Sequence, residues 1–186
     1  MSRSEKEKML ANEPYLASDP QLVRERERAR RLCALYNATA PDHLQRRAEL
    51  LWEWLGFVGE NVWVEPPFHC DYGTHVRLGD GVYVNCGCVF LDCNTIQVGD
   101  GVKFGPGVQV YTAYHPVDPA LRKTGVEMAA PVRIGHNVWV GGGAILCPGV
   151  EVGDDTTIGA GSVVTRSIPA GVVAAGNPCR VIRRLK

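Results

Sequence analysis

The residue best suited to chemistry in this sequence is His115, set between Tyr114 and Pro116. Imidazole is the side chain matched to taking a proton near neutral pH. On position alone, His115 is either a general base or an ordinary surface-loop histidine. Four other histidines compete with it: His43, His69, His75 and His136. Their placement offers no three converging imidazoles, which disfavours a zinc-hydroxide mechanism. Cys86, Cys88 and Cys93 cluster, but without the C-x-x-C spacing of a structural metal site. There is no G-x-S-x-G elbow and no nucleophile with an obvious base beside it. What remains is direct transfer, in which a base activates an acceptor hydroxyl without a covalent enzyme intermediate. Asp71, Asn85 and Asp92 could orient a hydroxyl-rich acceptor, and each is equally a common turn residue. Gly141-Gly142-Gly143 either admits a ligand close to the backbone or marks a tight bend. Arg180, Arg183, Arg184 and Lys186 either meet phosphates or are solvated.

The scaffold that must position these groups is legible as a period. Ile134, Val140, Leu146, Val152, Ile158 and Val164 fall six residues apart, almost always followed by a small residue. Six is not a multiple of 3.6, so no helix face collects these positions. It is the period of a solenoid that turns a corner every six residues. The spacing predicts a hexapeptide-repeat parallel β-helix with the aliphatic residue inside. Leu78, Val84 and Phe90, then Val98, Phe104 and Val110, extend it upstream. The eight-residue step from Phe90 to Val98 predicts a two-residue bulge between Asp92 and Gln97. Between Val110 and Ile134 the repeat fails over a stretch with three prolines and several charges. We read about 111–132 as a loop extruded from the solenoid, with His115 near its start. Loops of that length in compact folds are usually functional or disordered.

The first 58 residues differ in kind. Ser4 and Glu7 form a capping box ahead of a short helix. Asp19 and Pro20 start a second helix, with Leu22, Ala29, Leu32, Leu35 and Tyr36 at near-helical spacing. Its RERERARR run reads as a solvated face. A third helix after Pro41 puts Leu44, Ala48, Leu51 and Leu55 on one stripe and ends at Gly56. Three short helices bury little alone, so they are expected to cover the open strand edges at the solenoid's N-terminal end. The division is thus a helical segment, 1–58, and a β-helix domain, 59–186. Regular coils run to about residue 167, followed by a turn at Ile168–Gly171 and a basic tail.

Twenty basic and twenty acidic residues cancel, so no bulk charge argues for nucleic acid or a membrane surface. No apolar run reaches transmembrane length, and the N-terminus is too charged for a signal peptide. Seven cysteines without a secretory signal point to reduced thiols and a cytoplasmic location.

YTAYHPVDPALRKTG and the stretch from Pro131 to Ile182 resemble the galactoside and maltose O-acetyltransferase family. KEKMLANEPYLASDPQL, PFHCDYG and VFLD are similar to its maltose branch, so the resemblance covers essentially the whole chain. It implies a left-handed β-helix and acetyl transfer from acetyl-CoA, a co-substrate, to a hydroxyl of a maltose- or glucose-like sugar. It also implies a homotrimer with active sites between neighbours, and no metal. By matching motif His115 is the general base, and Asp19, Asp71, Asn85 and Asp92 line the acceptor pocket. Trp139 lies near the acetyl and pantetheine channel. Asn85, Gly142, Ala160, Thr165 and Arg166 follow the CoA, and Arg180 and Arg183 meet its phosphates. The sequence departs from the family at Cys93, where some relatives carry a second Asp, and at Arg166, where Lys is frequent. The alternatives are a relative acting on another hydroxyl or amine, such as an antibiotic or a nodulation-type oligosaccharide, or a non-catalytic scaffold.

Overall fold

The structure is a computed structural model and describes residues 3–185. Short parallel strands stack into three sheets that form the sides of a prism. Sheet 1 holds Phe57–Val58, Val76–Leu78, Ile96–Val98, Val132–Ile134 and Glu151–Val152. Sheet 2 runs from Trp63–Val64 through Tyr83–Val84, Lys103–Phe104, Trp139–Val140 and Thr157–Ile158 to Val172–Ala175. Sheet 3 holds Phe68–Cys70, Cys88–Leu91, Gln109–Tyr111, Ile145–Leu146 and Val163–Val164. The chain visits sheets 1, 2 and 3 in turn, so residues three hexads apart pair directly: Ile134 with Val152, Val140 with Ile158, Leu146 with Val164. All six residues of the predicted inward row are buried. The period of six is therefore the period of the prism's sides.

Between sheets 1 and 2 and between sheets 2 and 3, small residues let successive coils approach. A Cβ on Gly141 would lie 2.5 Å from the Ala160 amide nitrogen, a backbone atom that cannot move alone. Gly141→Ala is expected to lower stability by about 1–3 kcal/mol through this overpacking. Thermal melting measures it, and an unchanged midpoint would mean that the coils can spread without cost.

The helical segment is α1 (Glu5–Leu10), α2 (Pro20–Asn37) and α3 (Leu44–Trp54). The capping box at Ser4 and Glu7 forms, and Asp19 caps α2 with Pro20 in its first turn. Helices α2 and α3 close the N-terminal mouth of the prism, as expected. Trp54 sits between Tyr36 and Phe68, with ring centroids 6.0 and 5.7 Å away. The stack continues through Phe90 and Phe104 into the coils at 5.2 Å spacings. Each such aromatic contact adds about 0.5–1.5 kcal/mol beyond area burial.

Four expectations change. Leu35 faces solvent at 54 % exposure. On α3 the buried face is Leu50, Leu51, Trp54 and Leu55, while Leu44 and Ala48 are exposed. Seating Trp54 in the mouth of the prism sets the rotation of α3, and this overrides the simpler aliphatic stripe. Helix α1 does not cap the prism but packs along its side against Met128–Ala129. The solenoid also continues past residue 167. Ile168 bridges Val152, Val172–Ala175 extends sheet 2, and Arg180–Arg184 returns antiparallel to it.

Candidate functional site

The corner from sheet 3 to sheet 1 breaks the regular turn in three successive coils. It is spanned by residues 71–75, then 92–95, then the long excursion 112–131. The expected bulge after Phe90 is the second of these, and it is a buried polar corner. Asp92 has no exposed surface. Its Oδ1 accepts the backbone N–H of Asp71 at 2.9 Å and of Tyr72 at 2.8 Å, and its Oδ2 accepts that of His75 at 3.2 Å. Burial pushes the Asp92 carboxyl up to about 8, while backbone donors from Tyr72 and His75 pull in the other direction. Within this chain Asp92 turns its two oxygens toward three backbone donors inside the fold. It shapes the turn that presents Asp71.

Asp71 is half-buried, and the Cys93 thiol lies 3.5 Å from its Oδ2. Burial raises the Asp71 carboxyl above its ordinary range, with the Cys93 contact and the Arg26 charge opposing. Burial likewise raises the Cys93 thiol, which makes it a neutral donor rather than a nucleophile. Arg26 donates to the Tyr72 hydroxyl and to the Ala17 carbonyl, each at 2.7 Å. Tyr15 donates its hydroxyl to Glu127 at 3.0 Å. A buried apolar floor of Met9, Tyr15, Leu22, Tyr72, Cys93 and Ala129 lies beneath these groups. Asp19 accepts the amides of Gln21 and Leu22 through Oδ1, so it serves first as a helix cap.

Arg26 was hidden in the run read as a solvated face. That reading holds for Arg24, Arg30 and Arg31, but Arg26 is half-buried and Arg28 donates to the Glu53 carbonyl at 2.6 Å. A signal was available: Leu22, Arg26 and Ala29 share one helical face. Tyr15 and Glu127 had none, since they meet only through the fold.

The excursion leaves sheet 3 after Tyr111 and rejoins sheet 1 at Val132, within the expected limits. At its base, Ala113–Tyr114 pairs antiparallel with Met128–Ala129. His115 follows directly and is exposed. Arg122 donates to the carbonyls of Pro116 and Val117 at 3.0 and 3.1 Å, which fixes the turn just beyond it. Two residues before the histidine, Ala113 packs on the apolar floor below Asp71. His136, by contrast, sits at an exposed bend far along the chain, and its Nδ1 accepts the Asp100 amide at 3.1 Å.

The residues expected along CoA do not converge within one chain. Asn85, Gly142 and Ala160 lie at the corner from sheet 2 to sheet 3, and Trp139 projects from sheet 2 with 58 % exposure. Thr165 and Arg166 lie at the other edge of sheet 3, on the corner that carries Asp71. Arg180 and Arg183 are exposed on the last strand, at the end of sheet 2. Among the described residues no group of three His, Cys, Asp or Glu could hold a metal ion. None of their helices is long and apolar enough to cross a membrane.

Comparison with known proteins decides the family. Residues 8–59 match the maltose acetyltransferase hexapeptide capping motif, and residues 131–166 match the bacterial transferase hexapeptide repeats. The chain is 51 % identical over 181 residues to nodulation protein L of Rhizobium leguminosarum bv. viciae, covering 97 % of this chain and 95 % of the relative. A maltose O-acetyltransferase structure from Clostridium difficile 630 superposes with a TM-score of 0.99 at 47 % identity, covering both chains fully. A galactoside acetyltransferase in complex with coenzyme A gives 0.96 at 38 % identity, covering 100 % of this chain and 92 % of that one. This chain belongs to the maltose and galactoside O-acetyltransferase family. As a member of that family it is an acetyltransferase. The capping motif ends close to the helical segment's boundary, and the matched repeats begin where the His115 excursion returns.

Proposed function

We propose that this chain moves an acetyl group from acetyl-CoA to a hydroxyl of a maltose- or glucose-like sugar, with His115 as general base. The observation that carries this reading is the shared corner. His115 leaves the solenoid one coil beyond the turn that holds Asp92 and Cys93, and two coils beyond Asp71. Asp71, Arg26 and Glu127 supply the polar groups that a hydroxyl-rich acceptor needs, Asp19 extends the set, and Asn85 would join it from a neighbouring chain. His115 takes the proton as the acceptor oxygen attacks the thioester carbonyl. The new C–O bond forms, the C–S bond breaks, and the sulfur leaves with the proton that His115 returns. No covalent enzyme intermediate is needed. Incubation with acetyl-CoA and maltose, glucose, a galactoside, a chitin-derived oligosaccharide and an aminoglycoside, following CoA release, tests the reading. Release with the aminoglycoside alone would move the acceptor to the amine class, and release with none of the sugars would overturn the sugar reading.

We propose further that the enzyme works as a homotrimer. The outer row of sheet 1 is mainly charged and polar: Arg77, Gln97, Arg133 and Glu151. Sheet 2 mixes Trp63, Tyr83 and Trp139 with Lys103 and Thr157, and sheet 3 mixes Val89, Ile145 and Val163 with His69 and Gln109. Such faces suit burial against a second copy. A neighbour would bring Trp139, Gly142 and Ala160 from its own edge to the His115 corner, completing what one chain holds apart. Sedimentation equilibrium should return three chains, and a monomer with full activity would end this part of the reading.

The terminal arginines give a third expectation. Arg180→Ala and Arg183→Ala should each raise the Michaelis constant for acetyl-CoA about tenfold, as expected for loss of a charge-assisted phosphate contact. The constant for the sugar should hardly move. Unchanged acetyl-CoA kinetics in both variants would take the tail out of the site.

A further inference from the structure

We infer that Asn94 is the positioning residue that holds the His115 excursion in register with the solenoid. This rests on the reading of His115 as the base. Asn94 is 2 % exposed and sits at the corner of the coil just below the excursion. Its Nδ2 donates to the Ala129 carbonyl at 2.7 Å and to the Met9 and Leu10 carbonyls at 3.1 and 3.2 Å. Its Oδ1 accepts the Thr95 amide at 2.7 Å. Its own amide donates at 2.8 Å to the hydroxyl of Thr112, which in turn donates to the Leu91 carbonyl at 2.6 Å.

Four segments therefore meet on Asn94: its side chain holds the end of α1, the corner itself and the returning limb at Ala129, and its backbone amide holds the outgoing limb at Thr112. The limbs pair with each other through Ala113–Tyr114 and Met128–Ala129, a ladder of two residues on each side, with the Ala130 amide donating to the Thr112 carbonyl at 2.9 Å at its base. A two-residue ladder is marginal alone. Other ties lie farther out, where Tyr15 and Glu127 exchange backbone bonds and Tyr114 donates to Asn12. At the roots of the excursion the Thr112 and Val132 amides donate to the Leu91 and Thr95 carbonyls at 3.1 and 2.9 Å, and Asn94 is the side chain that ties the returning limb and α1 to that coil. An aspartate of the same shape would lose both N–H donors and set a carboxylate against three carbonyl oxygens. The backbone carrying His115 would then lose its fixed height above Asp71. Misplacement by about 1 Å can cost on the order of 100-fold in rate.

The test uses full-length protein, Asn94→Asp, and the milder Thr112→Val in case the first does not fold. Hydrogen exchange at residues 113–130 should quicken while residues 134–164 stay protected. With the best sugar of the panel, kcat should fall about 10- to 100-fold and the Michaelis constant for acetyl-CoA should stay within about twofold. In a His115→Ala background the same substitution should change the residual rate by less than about twofold, because the group it positions is gone. Unchanged exchange at 113–130, or an equal loss of rate in both backgrounds, overturns the inference. If His115→Ala alone turns over normally, the base assignment falls, and exchange at 113–130 still decides whether Asn94 pins the excursion.

Discussion

His115→Ala should slow acetyl transfer by roughly 10²–10⁴-fold, the usual worth of a positioned general base. Acetyl-CoA binding should barely change, because the imidazole acts mainly in the transition state. Stability should also hold. His115 is exposed, and the excursion is fixed by Asn94, Tyr15 and Glu127 rather than by the histidine itself. His136→Ala is the control. Its imidazole accepts the Asp100 amide at an exposed bend between sheets 1 and 2, away from the His115 corner, so activity should stay near native. Normal turnover by the His115 variant, with acetyl-CoA still bound, would place the base elsewhere.

The solenoid was legible because each hexad repeats the same physical demand, one aliphatic residue inside and one small residue at the bend. That demand is local, so Ile134 to Val164 read correctly without any knowledge of their partners. The position of the excursion was legible for the converse reason, since the demand is suspended between Val110 and Ile134. The site's interior was not legible. Tyr15 and Glu127 are 112 residues apart and meet only because α1 runs along the prism instead of across its mouth. Nor does the sequence show that Asp92 turns its oxygens to three backbone amides. A carboxylate at a turn looks the same in sequence whether it faces an acceptor or three backbone amides. Arg26 shows a related failure, because charge composition outweighed helical phase in a run that is mostly solvated. On α3, the fit of one indole between Tyr36 and Phe68 decided the rotation, and no pattern of aliphatic residues carries that information.

Asp92→Ala should cost about 3–5 kcal/mol of stability, since three buried backbone N–H groups lose their acceptor and each costs about 1–3 kcal/mol, partly relieved by water. That is a large share of the roughly 5–15 kcal/mol that holds a domain folded. Asp92→Asn is the finer probe. Its carbonyl can keep the Asp71 and Tyr72 amides, but its NH₂ would face the His75 N–H, so a loss of about 1–2 kcal/mol is expected. Both variants should raise the Michaelis constant for the sugar more than for acetyl-CoA, because the turn they loosen presents Asp71. The two also separate by pH. The native carboxyl is raised from 3.8 to about 8, so between those values the folded state holds a proton that the unfolded chain has released. Its contribution is therefore fully present below the lower value and is lost as pH rises through the upper one. The stability advantage of the native protein over Asp92→Asn should shrink across that window. Denaturant melts at a series of pH values measure the difference directly. An advantage that grows with pH would mean that the three backbone amides hold Asp92 ionised throughout, and that burial does not set its charge.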